Sequence, residues 1–88
     1  MEFEWDEAKR QLVLAKHGLD FLRAGEVLLG RHIVLEGRHV DEIRQIAVGE
    51  SQGKMIAVVF TRRGDRVRLI TARRARKDEC RTYRAVFG

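Results

Sequence analysis

The chain has 88 residues, with 18 Lys plus Arg against 13 Asp plus Glu for a net charge of +5, three His, one Cys and no Pro. A polypeptide this short buries only about 60–65% of its unfolded surface, so one compact domain spanning residues 1–88 is expected, without separate cofactor and substrate domains. Cys80 has no intrachain partner, which excludes an internal disulfide and a Cys-based zinc site and fits a reducing compartment.

The first ten residues are acidic and amphipathic, unlike the basic start and apolar core of a secretion signal, and no run approaches about 18 consecutive apolar residues. A cytoplasmic protein that does not engage the membrane is expected. Asp6 is a suitable N-cap for a helix running to His17, with Glu7 in its first turn, Lys16 and His17 in its last, and Gly18 as the left-handed stop. Its apolar stripe is read as Ala8, Leu12 and Ala15, with Lys9, Arg10 and Lys16 facing water. Asp20 then caps a second helix with Phe21, Ala24, Val27 and Leu28 on one face and Gly30 as its stop.

Beyond Gly30 the period changes to that of strands: residues 33–35, 44–49, 54–61 and 66–72. Met55 to Phe60 is apolar on both faces, as in a central strand, and short turns make the last three strands an antiparallel meander. From about Ala75 a final helix places Glu79, Tyr83 and Val86 at helical spacing. The predicted fold class is therefore α+β: two N-terminal helices, a curved antiparallel sheet of three to four strands and a C-terminal helix.

Charge is divided unevenly along this order. Residues 1–44 carry 7 basic and 9 acidic groups, whereas residues 45–88 carry 11 and 4. Ten of the basic residues fall between Arg62 and Arg84, all but Lys77 arginine, the side chain whose planar fork matches phosphate. A polyanionic partner follows, with a merely solvated basic face as the alternative. On the last strand Arg66 and Arg68 share one side and Val67, Leu69 and Thr71 the other. The arginine pair reads equally as a phosphate cradle or as the charge of an edge strand that resists aggregation.

His17, His32 and His39 form no H-E-x-x-H motif and no i, i+4 pair, so no metal site is expected. Neither dinucleotide nor P-loop glycine motifs occur, so no cofactor is expected, and Ser51, the only serine, has no nucleophile-elbow context. What remains is acid–base chemistry beside arginines, the set that metal-free RNA scission at a 2′-hydroxyl requires. Each candidate also has a structural explanation: Lys16-His17-Gly18 as a helix end, Tyr83 as a core anchor, and Trp5 as packing for the first helix rather than a base-stacking platform. Arg73, Arg74, Arg76 and Lys77 form an electrostatic footprint for RNA or for an acidic protein.

Spaced motifs run nearly end to end. Phe3-Glu4-Trp5-Asp6, Lys9, Lys16-His17-Gly18, Phe21 and Ala24 open the pattern, and Arg38-His39, Glu42 and Gly49 continue it. Val58-Val59, Thr61, Arg63 to Ile70, Ala72 to Ala75, Glu79 and Tyr83 close it. In this pattern the chain resembles the BrnT-type toxins of bacterial type II toxin–antitoxin modules. The resemblance implies a RelE-like ribonuclease fold, growth inhibition by RNA cleavage, and neutralisation by a BrnA-like ribbon-helix-helix antitoxin through which operator DNA is bound and repressed. The chain departs from the family's pattern at Val13 (commonly Asn), Ile43 (Arg), Thr71 (Ser) and Cys80 (Arg).

The expectation is thus a metal-independent endoribonuclease, with a non-catalytic basic module binding nucleic acid or an acidic protein as the alternative. Arg66, Arg68 and Arg73 are the candidate phosphate groups and Lys16 or His17 the proton-transfer group, with Tyr83 as a further catalytic candidate. His39, Arg62, Arg63, Arg74, Arg76 and Lys77 are the candidate RNA-binding residues.

Overall fold

The computed structural model describes residues 2–39 and 42–88, with the side chains of Arg38, His39 and Glu42 outside that description. The expectation for His39 therefore lies outside the described side chains. The elements are β1 (Glu2–Glu4), α1 (Glu7–His17), α2 (Phe21–Leu29), β2 (His32–His39), β3 (Glu42–Ser51), β4 (Lys54–Arg63), β5 (Arg66–Arg74) and α3 (Lys77–Phe87).

Both N-terminal helices begin and end where their caps dictate. Asp6 accepts from the Ala8 and Lys9 amides at 2.9 and 3.2 Å. Gly18, at φ +67°, closes α1 with its amide on the Leu14 carbonyl at 2.9 Å. Asp20 caps Leu22 at 3.1 Å and also receives both Nε and Nη2 of Arg10 at 3.0 Å, so one carboxylate fixes the angle between α1 and α2. These hydrogen bonds, Arg10 first and the Leu22 amide next, hold Asp20 below the ordinary carboxylate range.

The sheet order is β1-β5-β4-β3-β2. Strands β2 to β5 are antiparallel, whereas β1 runs parallel to β5 with Glu2, Phe3 and Glu4 opposite Arg66, Val67 and Arg68. The sheet is therefore mixed and five-stranded, which corrects the antiparallel sheet of three to four strands. It also moves β5 from the edge to the interior. A three-residue strand pairing with residues more than sixty positions away leaves no local periodicity to read. At the β3–β4 hairpin Gln52 and Gly53 both have positive φ, +52° and +78°, the mark of a type I′ turn.

The core lies between the two N-terminal helices and one face of the sheet. Phe21, Ala24, Val27 and Leu28 of α2 are buried as predicted, against Ile56, Val58 and Phe60 of β4 and Val67, Leu69 and Ala72 of β5. Phe3 and Trp5 flank this cluster, Trp5 meeting Phe21 edge-on with centroids 6.1 Å apart. The expected α1 stripe of Ala8, Leu12 and Ala15 is exposed, Leu12 at 66%; Val13 is the buried residue of that helix. On α3, Glu79 is buried and Tyr83 half-buried, but Val86 is exposed.

A bulge at Ile70 changes the reading of β5. Val59 faces Thr71 while Phe60 faces Leu69, so Ile70 is the extra residue and the alternation reverses beyond it. Thr71 consequently leaves the Val67–Leu69 face, and Ala72 takes its place in the core.

Gly49 of β3 sits against the end of α2, where a Cβ would come 2.8 Å from the Arg31 carbonyl oxygen and 3.0 Å from Val27 Cγ1. Backbone cannot yield as a flexible side chain does, so Gly49→Ala is expected to destabilise the fold by about 1–3 kcal/mol. Urea unfolding checks this; an unchanged midpoint would show that the α2–β3 contact is looser than described.

Candidate functional site

The face of β5 opposite the Val67–Leu69 core carries Arg66 and Arg68, across the ladder from Arg63 and Thr61 of β4. Beside them an open cleft of about 260 Å³ is lined by Arg63, Arg68 and Thr61, by Arg44 of β3, by Leu69 and the bulge residue Ile70, and by Asp6 and Lys9 from the start of α1. Lys9, Arg44, Arg63 and Arg68 bring four cations to the lining and Asp6 one carboxylate, which accepts from its helix amides. A second concavity of about 290 Å³ runs along α1, lined by Lys9, Leu12, Val13, Lys16, His17 and Thr71. Lys9 is common to both. The arginine cleft and the Lys16–His17 helix end are therefore neighbouring parts of one basic groove.

The arginines of β5 are held very differently. Arg68 Nη1 donates to Glu4 Oε2 at 3.0 Å, with the side chains 30% and 28% exposed. Arg66 lies 3.3 Å from Glu2 with both groups largely in solvent. Arg73 forms a two-pronged pair with Glu79 at 2.8 and 2.9 Å, and the same carboxylate accepts the Arg76 amide at 2.8 Å, ahead of α3. Hydrogen bonding from Arg73 holds Glu79 below its ordinary range against the opposing effect of burial, and raises the Arg73 guanidinium in turn.

The structure thus gathers Arg68, Arg63, Lys16 and His17 along the groove. Arg73 lies outside both concavities, its fork taken by Glu79. Tyr83 also lies apart, packed on Phe87 with centroids 4.9 Å apart. Arg62 is on the core-facing, α2 side of the sheet, 5.9 Å from the centroid of Phe60, and Arg74, Arg76 and Lys77 are exposed between the end of β5 and the start of α3. Sequence reasoning missed Lys9 and Arg44. The first had a signal, because Lys9, Val13, Lys16 and His17 are spaced to share one side of a helix; Arg44 had none, since only the strand order brings β3 to the cleft. Ser51 is buried and donates to Glu26 at 3.1 Å, as a structural hydroxyl between β3 and α2.

Among the described residues no three His, Cys, Asp or Glu side chains come together as a metal site, and no helix is long and apolar enough to cross a membrane. The model of the family described as the ribonuclease toxin BrnT of type II toxin–antitoxin systems matches residues 5–79. The chain belongs to this family. It is 39% identical to the Brucella abortus ribonuclease toxin BrnT, whose crystal structure at 1.1 Å aligns with a TM-score of 0.70 over 88% of this chain and 99% of that one. No curated protein sequence matches. Membership makes the chain a type II toxin, with an antitoxin as partner and RNA as target. Two departures from the family pattern noted above, Val13 and Thr71, both stand in the wall beside His17.

The Arg73–Glu79 pair ties β5 to the first turn of α3. Because Glu79 is held below its unfolded value, its contribution to stability is complete above the ordinary carboxylate range, about pH 4–5, and is lost as pH falls through the lowered folded value. Glu79→Gln is expected to cost about 2–3 kcal/mol at neutral pH, with the gap from the unsubstituted protein narrowing in acid. Chemical denaturation across pH measures this; a gap constant with pH would remove the carboxylate from the account.

Proposed function

We propose that this chain is a metal-independent endoribonuclease that cuts RNA through its own 2′-hydroxyl, with the groove along α1 and β5 as the active site. The observation that supports this most directly is the position of Lys9 in both concavities, which sets the arginine cluster beside the titratable end of α1. Arg68 and Arg63 bind the scissile phosphate, with Arg44 and Lys9 on the opposite walls. The charge that builds on the non-bridging oxygens at phosphorus is stabilised by guanidinium groups fixed on strands before the substrate arrives. His17 or Lys16 takes the proton from the 2′-hydroxyl, whose oxygen attacks phosphorus. The bond to the 5′-oxygen breaks and that oxygen leaves protonated, giving a 2′,3′-cyclic phosphate and a free 5′-hydroxyl. The requirement for a 2′-hydroxyl makes DNA resistant.

In this reading Arg66, exposed at the rim, assists by charge alone. Arg73 acts at a distance by seating α3 through Glu79, and Tyr83, packed on Phe87 of the same helix, stands outside the groove. The antitoxin is of the ribbon-helix-helix type, the complex binds operator DNA through it, and the site of action is the cytoplasm, in line with the family pattern across the chain.

Arg68→Ala is expected to lower cleavage of a short RNA by about 10²–10³ in kcat, and Arg68→Lys to restore little of it because the planar fork is lost. Cleavage should persist in chelator and should vanish on the 2′-deoxy substrate. His17→Ala should remove one limb of the pH–rate profile. An unchanged profile would leave His17 as a helix end only, and full activity of Arg68→Ala would take the cleft out of the reaction.

A further inference from the structure

Lys77, Arg81 and Arg84 recur at spacings of four and three on α3, so all three lie along one side of the helix. They line an open concavity of about 390 Å³ with Cys80 and Ala75, and share no residue with the groove. Through their side chains none of the three has a hydrogen-bond or ion-pair partner among the described residues, in contrast to Arg10, Arg68 and Arg73. The nearby acidic side chains form no ion pair with them: Glu79 is buried on Arg73, and among the described residues no salt bridge joins Asp78 to any of the three. Three unpaired cations over about 10 Å of helix repel one another, and the repulsion is relieved by a ligand with evenly spaced negative charge.

We propose that this side of α3 is a second RNA-binding site, a tether that grips the phosphate backbone through Lys77, Arg81 and Arg84 away from the cleft. The proposal rests on the reading of RNA as substrate, and it adds that the substrate must be long enough to reach beyond the groove. A helix rising about 1.5 Å per residue spaces these cations for about two or three phosphates of an extended strand. The half-buried Cys80 lies among them, and as the only cysteine it reports on the site directly. An acidic protein segment is the competing occupant; a flexible polyanion suits three exposed, unpaired cations better than a peptide that must also bury side chains.

The test uses the full chain with a long 2′-O-methyl RNA, which cannot be cut. Lys77→Ala, Arg81→Ala and Arg84→Ala combined should reduce the slope of log affinity against log salt by about 2, near 0.7 per single-strand phosphate contact. On cleavable long RNA the same variant should raise KM with kcat unchanged, and on a short oligonucleotide filling only the groove it should change neither. In the unsubstituted protein the 2′-O-methyl RNA should slow alkylation of Cys80 by iodoacetamide, and polyglutamate should not. An unaltered salt slope, or protection by polyglutamate but not by RNA, overturns the tether. Cys80 protection without any RNA cleavage would sink the catalytic reading and leave the tether standing, so the two fail separately. The three side chains are exposed, and an unchanged melting temperature confirms that the variant is folded.

Discussion

Strict alternation along β5 would put Leu69 and Ala72, three residues apart, on opposite faces of the sheet, yet both belong to the core. The extra residue Ile70 reconciles them, and the same shift lets Arg68 and Arg73, five residues apart, project from the face opposite that core. Without it Arg73 would point toward that core, or Arg68 would. It also turns Thr71 to the concavity beside His17. One backbone irregularity therefore keeps the core apolar, keeps the basic face continuous and seats α3 through Arg73. Its cost is a locally broken ladder, offset by the apolar surface that Leu69 and Ala72 both bury.

What could be read in the sequence is what local chemistry decides. The caps at Asp6, Gly18 and Asp20 need only neighbouring amides, and the central strand β4 announces itself by being apolar on both faces. What could not be read depends on long-range pairing. β1 has three residues and draws its stability from β5 far along the chain; the bulge is visible only when β4 is placed beside β5. The same limit applies to the site. Lys16, His17, Arg63 and Arg68 could be named because composition and helix spacing mark them, whereas Arg44 reaches the cleft only through strand order. The α1 stripe failed for a related reason: a short helix packed at the side of a sheet buries one residue, Val13, and leaves Leu12 in solvent.

The pairing of the arginines decides which of them a phosphate can recruit. Arg73 faces a carboxylate only 6% exposed, which also accepts the Arg76 amide. Taking that guanidinium away would strand a buried charge at a cost of about 3–5 kcal/mol, more than one phosphate contact returns. Arg68 and Glu4 are each nearly a third exposed, and a pair of that kind is worth about 0–1 kcal/mol. A phosphodiester can replace Glu4 as partner of Arg68, and the displaced carboxylate can be hydrated where it stands. The acidic strand β1 thus keeps Arg68 oriented while the groove is empty without holding it from the substrate, and Arg73 remains an anchor of the fold.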